Sequence, residues 1–146
     1  MTPKEVPDGP LCVDTDVFSW VYGSRERYLE FDALMQGHLL VISFAAVGEL
    51  HAGAIKARWG DRRREQLERA LHENYLVLTA TDGVVRKYAE LHARFKGRLK
   101  NGGGNDMWTA ACVLAQPEPV PLVTNNLSDF QTIGSEFPLH IVHPDV

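Results

Sequence analysis

Leu11-Cys12-Val13-Asp14-Thr15-Asp16 decides the fold. Three apolar residues run directly into two carboxylates spaced two apart. A strand covered on both faces reads as a continuous apolar run, whereas an exposed one alternates. Acid placed at once behind such a run is poor core material, but it suits the carboxyl end of a parallel strand. Open α/β sheets bind their ligands there. Asp14 is therefore a candidate first ligand of a divalent-metal site, and the rest of the chain has to supply the others.

Working outward, 11–15 reads as the first strand and Val17 to Tyr22 as a short helix punctuated by Gly23-Ser24. Arg25 to Gln36 carries Tyr28, Leu29, Phe31, Leu34 and Met35 at near-helical spacing and stops at Gly37. Leu39 to Ser43 is an apolar run of strand length, and Ser43 caps a helix over 44–58 that holds Glu49 among Ala and Gly. A charged helix follows from Gly60-Asp61 to Asn74, with Leu67 and Leu71 at the four-residue step. Leu76 to Leu78 is a third strand. Thr79 to Asp82 caps a helix over 82–98 whose stripe is Val84/Val85, Tyr88, Leu91 and Phe95. Asn101 to Asn105 reads as a flexible loop, and Asp106 opens a helix from Met107 to Ala115. Leu122 to Thr124 is the fourth strand, Asn125 to Phe130 the turn behind it, and Leu139 to Val142 the fifth strand. Strands alternating with helices predict a three-layer α/β/α fold around a central, mostly parallel sheet of about five strands.

The 146 residues are 45% hydrophobic and 23% charged, a globular composition of one-domain length. Residues 1–10, with three prolines, read as a flexible tail, and 11–146 as one domain. No apolar run approaches the ~18–20 residues of a membrane span, so no membrane partner is expected. Cys12 and Cys112 each sit in an apolar segment, which suits buried free thiols in a reducing cytoplasm. The net charge of −4 hides a polarised distribution. Lys56 to Arg69 holds six Lys/Arg against three acids, and Arg86 to Lys100 six against one. No Lys or Arg follows position 100. Basic segments beside isolated acids are compatible with holding an anion around a metal centre.

Glu49, Asp106 and Asp129 join Asp14 as candidates on these grounds. Asp106 alone suits a helix start and Asp129 a turn, but Glu49 stands among small and apolar residues, where an isolated carboxylate is costly. Together, VDTDVFSW (13–20), ISFAAVGELHAG (42–53), NDMWTAACVLA (105–115) and LVTNNLSDF (122–130) resemble the PIN-domain ribonucleases, and more closely the VapC-type toxins of bacterial toxin–antitoxin pairs. The resemblance places the family's first three acids on Asp14, Glu49 and Asp106. Its fourth position falls on Asn126 or on Asp129. The family usually has Asn where this chain has Asp16, Ala110-Ala111 keeps its small-residue pair, and Trp108 and Gly102 to Gly104 are local departures that bear on substrate access.

The resemblance implies a metal-dependent endoribonuclease. Hard Mg²⁺ or Mn²⁺ takes oxygen ligands and keeps several waters. Asp14 and Asp106 are expected to bind it directly, with Glu49 and Asp129 through water or a second ion. Asp16 is expected as a supporting acid, and Thr124 and Asn126 as holders of the attacking water or the scissile phosphate. Arg62, Arg63, Arg64, Arg94, Lys96, Arg98 and Lys100 are the candidate contacts to an RNA backbone. A cognate antitoxin, whose tail would insert a basic side chain among the acids, and a homodimer are implied as partners.

Two other readings compete. Asp14-x-Asp16 with Val123-Thr124 mimics a haloacid-dehalogenase-like phosphatase, but that chemistry needs a later Lys and none occurs. A degenerate PIN fold kept as a binding module would not need the full set of Asp14, Glu49 and Asp106. The six histidines lack zinc-like spacing with the cysteines and read as structural or surface residues.

Overall fold

The computed structural model describes residues 1–100 and 104–146. Its strands are β1 (Leu11–Val13), β2 (Leu40–Ser43), β3 (Leu76–Leu78), β4 (Leu122–Val123) and β5 (Ile141–Val142). They form one sheet in the order β3-β2-β1-β4-β5, and every neighbouring pair is parallel. The helices are α1 (Thr15–Tyr22), α2 (Tyr28–Met35), α3 (Phe44–Lys56), α4 (Asp61–Asn74), α5 (Asp82–Phe95), α6 (Gly104–Leu114) and α7 (Leu127–Gly134). The three-layer α/β/α architecture expected from the sequence is the one observed.

The central strand explains the layering. Leu11, Cys12 and Val13 are all fully buried, yet they point to opposite faces, as successive strand residues must. Cys12 joins a core with α5, α6 and α7, built on Leu91, Phe95, Met107, Phe130 and Ile133. Leu11 and Val13 join a second core with α1, α2 and α4, built on Phe18, Phe31, Leu67 and Leu71. Both cysteines are buried free thiols.

Several boundaries differ from the sequence reading, each for a local reason. β1 stops at Val13 because Asp14 caps α1, its carboxylate accepting the Thr15 amide at 2.9 Å. α2 begins at Tyr28, later than Arg25, because Ser24 and Glu26 take φ of 51° and 49°, outside any right-handed helix. α3 ends at Lys56, and Arg58 at φ 59° turns the chain away. α5 ends at Phe95 rather than 98, ahead of Gly97 at φ 80°, the left-handed conformation that glycine adopts without penalty. The expected turn at Asn125 to Phe130 is instead the start of α7, whose Phe130 and Ile133 are fully buried. Residues 1–10, expected as a flexible tail, lie against the domain. The Met1 amino group donates to the Pro144 carbonyl at 2.8 Å, Val6 is buried, and Gly9 O meets His38 Nδ1 at 2.8 Å. Asn101 to Gly103 of the expected flexible loop lie outside the described residues.

One buried polar contact ties the central sheet to α6. Ser43 is fully buried at the end of β2; its Oγ accepts the Ala46 amide at 3.0 Å, capping α3, and meets Thr109 Oγ1 at 2.8 Å. Ser43→Ala removes the cap and strands a second hydroxyl, so urea unfolding should register a loss of about 1–3 kcal/mol, and a loss under about 0.5 kcal/mol would contradict this role.

Candidate active site

The order of the strands brings the acids together. β1 and β4 are central neighbours, so Asp14 after β1 and Asn125-Asn126 after β4 leave the same edge of the sheet. α3 starts from the same edge of β2 and carries Glu49, while α6 carries Asp106 in its first turn. Asp14, Thr15, Asp16, Glu49, Asp106, Asn125 and Asn126 line one open cleft of about 740 Å³, and no Lys or Arg does so among the described residues.

Each acid is held differently. Asp14 is 7% exposed; beyond the Thr15 amide, its other oxygen accepts the Thr124 hydroxyl at 2.8 Å. Asp16 accepts the amides of Val17 at 2.7 Å and Asn125 at 3.1 Å. It therefore pins the loop after β4 to the start of α1. Asn126 is the connector: its amide donates to Thr124 Oγ1 at 3.0 Å, and its Nδ2 donates to Asp106 Oδ2 at 2.9 Å. One chain of bonds thus runs Asp14–Thr124–Asn126–Asp106.

The sequence-predicted positions separate into two groups. Asp14, Asp16, Glu49, Asp106 and Asn126 meet in the cleft. Glu49 is only half-buried, so the desolvation argument made for it from its neighbours does not hold; α3 presents it at the cleft wall. Thr124 is fully buried with its hydroxyl committed to Asp14 and Asn126, which makes it a support for Asp14 rather than a contact for phosphate. Asp129 is 1% exposed, takes the Lys100 amide at 2.8 Å and the Asn126 Nδ2 at 3.5 Å, and stands behind the cleft wall. Among the basic candidates, Arg94 and Arg98 are tied to Glu136 at 2.9 and 3.1 Å. Lys96 and Lys100 are exposed, and Arg62 and Arg63 stand exposed on α4, with Arg64 half-buried.

The sequence reading missed a support. His143 is 2% exposed; its Nδ1 accepts the Asp145 amide at 3.0 Å, which leaves the Nε2 proton for Asn125 Oδ1 at 3.2 Å. Its only signal was a polar residue directly behind β5, the neighbour of β4.

Electrostatics decide what this arrangement can hold. Burial, then the neighbouring charge of Asp14, pushes the Asp16 carboxyl up to about 7. Burial, then Asp14, Asp129, Glu49 and Asp16, pushes Asp106 up to about 7. Burial also raises Asp14, against hydrogen bonds from Thr124 and Thr15 that favour its charge. These acids resist sharing one cleft as anions, and a cation relieves that cost. The donors are all oxygen, which fits Mg²⁺ or Mn²⁺. Thr15, which lines the cleft, carries in its Oγ1 the one buried side-chain oxygen or nitrogen without a hydrogen-bond partner among the described residues. No three His, Cys, Asp or Glu of the described residues form a ready-made ligand set; Mg²⁺ commonly takes only one or two carboxylates and fills its sphere with water.

Comparison with known proteins follows the same lines. The PIN domain family model matches residues 11–132, and the chain belongs to that family. Among solved structures, VapBC-1 from nontypeable Haemophilus influenzae contains a similar chain (23% identity, TM-score 0.74, covering 94% of this chain and 99% of that one). VapBC2 from Rickettsia felis, bound to a DNA fragment from its promoter, contains another (21%, 0.71, 91% and 97%). A third is in VapBC-5, a toxin–antitoxin system of Mycobacterium tuberculosis (21%, 0.66, 92% and 98%). Identities this low speak for the fold. A comparison with curated protein sequences gives no match.

The raised carboxyls set a pH dependence with a definite sign. Between the ordinary carboxylate value near ~4 and about 7, the folded chain binds more protons than the unfolded one, so its stability falls as pH rises through that window. In EDTA, the melting temperature of Asp106→Asn relative to wild type should therefore climb from about pH 5 to about pH 7.5. A difference that stays flat or reverses would contradict the strained cluster.

Proposed function

We propose that the chain is a Mg²⁺- or Mn²⁺-dependent endoribonuclease and the toxin component of a toxin–antitoxin pair. The observation that carries this reading is the set of Asp14, Asp16, Glu49 and Asp106 around one open cleft, at the carboxyl edge of a parallel sheet in a PIN domain. When bound, a divalent ion supplies an acidified water and positive charge for a phosphodiester.

The chain's own residues do the positioning. Asp14 and Asp106 hold the ion, the first fixed by Thr124 and the Thr15 amide, the second by Asn126. Glu49, half-buried and facing the cleft, stands where it can orient a water. Asp16 keeps the loop after β4 in register, and Asp129 keeps Asn126 and the chain at Lys100 in place. Without a cation the cleft repels RNA, so cleavage should be strictly metal-dependent.

The toxin assignment draws on the similar chains in VapBC complexes. An antitoxin tail ending in Arg would neutralise the acids through paired hydrogen bonds, and the cleft has no lining cation of its own among the described residues. Homodimerisation and a cytoplasmic location belong to the same proposal. The structure's helices include none long and apolar enough to cross a membrane among the described residues.

RNA cleavage by Asp14→Asn and Asp106→Asn tests the assignment. Each should lower the single-turnover rate at least about 100-fold, the scale of a lost charge-stabilising contact, while the fold persists by circular dichroism. Near-wild-type, EDTA-sensitive cleavage by either variant would overturn it.

A further inference from the structure

A second cleft of about 760 Å³ adjoins the acidic one and shares Thr15 and Glu49 with it. That volume falls within the range of about 300–1,000 Å³ typical of small-ligand sites. Where the first cleft is acidic, this one is aromatic and basic. α1 contributes Phe18, Tyr22 and, just beyond its end, Arg25; the turn between α3 and α4 contributes Trp59, and the first turn of α4 contributes Arg63.

These side chains are arranged as flat surfaces. Tyr22 stacks on Phe18 at 5.4 Å and 14°, and is 41% exposed. The Arg63 guanidinium lies 3.9 Å over the centre of the Trp59 ring, which backs a planar cation with an aromatic. Arg25 folds against Gly23 so closely that a Cβ there would meet its Nε at 3.3 Å. One cleft thus brings together an exposed tyrosine ring, a guanidinium backed by an indole and a second arginine. Aromatic and Arg planes are the surfaces on which unpaired bases stack.

We infer that this cleft is a nucleoside subsite, which takes the base of the nucleotide next to the scissile phosphate. The inference rests on the RNA reading above. Continuity with the acidic cleft sets the placement: a phosphate near Asp14 and Asp106 and a base near Tyr22 and Arg63 belong to one strand passing Thr15. Thr15, which lines both clefts, marks their junction. Stacking is tolerant of sequence, so the subsite selects unpaired RNA rather than one base.

The test uses the whole chain in Mg²⁺ buffer and follows the indole N–H resonances of Trp20, Trp59 and Trp108 by NMR, with Trp59 assigned through Trp59→Phe. Titration with AMP should move the Trp59 resonance and saturate at about tenfold lower concentration than ribose 5-phosphate, the difference being the stacked base. Gly53→Leu adds bulk at a lining position where a Cβ meets open space; it should abolish the AMP response while leaving the melting transition intact. Arg25→Glu should weaken both ligands. Equal responses to AMP and ribose 5-phosphate, an unmoved Trp59, or AMP binding unchanged in Gly53→Leu would overturn the subsite and leave the cleft to a protein partner. Incubation of the wild-type chain with total RNA is the control: no cleavage alongside base-dependent AMP binding defeats the nuclease reading, and with it the placement beside a scissile phosphate, while the base-stacking cleft itself stands.

Discussion

Burial of the acids gathered at one sheet edge, and after it their mutual repulsion, is the constraint on which the rest of the site depends. Four carboxylates meet there, and three of them, Asp14, Asp16 and Asp106, are raised mainly by burial and are costly to keep ionised. The fold holds them with directional bonds in place of counter-charges. Asp14 has the Thr15 amide and the Thr124 hydroxyl, Asp16 has two backbone amides, and Asp106 has Asn126. Such bonds orient the oxygens without neutralising them, and a cluster that is oriented but not neutralised is prepared for a cation.

The cores serve this arrangement. A three-residue central strand buried on both faces leaves no freedom in where Asp14 emerges, and β4 beside it places Thr124 within reach. Asp129 shows the same logic at one remove: fully enclosed, it holds Asn126 and the Lys100 amide. The geometry also bears on the phosphatase alternative. Both Asp16 oxygens accept backbone amides, which suits a brace for the loop more than an acid that must hand a proton to a leaving group.

The fold and the acid positions were legible because they rest on strong local signals. Apolar runs of strand length, the Ser43 cap and the Leu67–Leu71 step each survive in the structure. The failures were of two kinds. Helix ends depended on left-handed residues that carry no glycine signal, as at Glu26 and Arg58, and α7 was hidden because Asn125 to Asp129 has the composition of a turn. Roles within the site depended on direction, which spacing does not contain. Thr124 points at Asp14, Asp129 is enclosed against the Lys100 amide and Asn126, and Arg94 with Arg98 close on Glu136. His143 reaches the site only because β5 lies beside β4.

The measurement that bears most directly on the central claim is calorimetric titration of the metal-free chain with Mn²⁺ near neutral pH, repeated in buffers of different ionisation enthalpy. The account predicts saturable binding that releases protons, because Asp16 and Asp106 are pushed up to about 7 and a cation displaces what they hold. The released protons should diminish in Asp106→Asn, and binding should be lost in Asp14→Asn. Absence of saturable binding, or binding in Asp14→Asn equal to that of the wild type, would contradict the account.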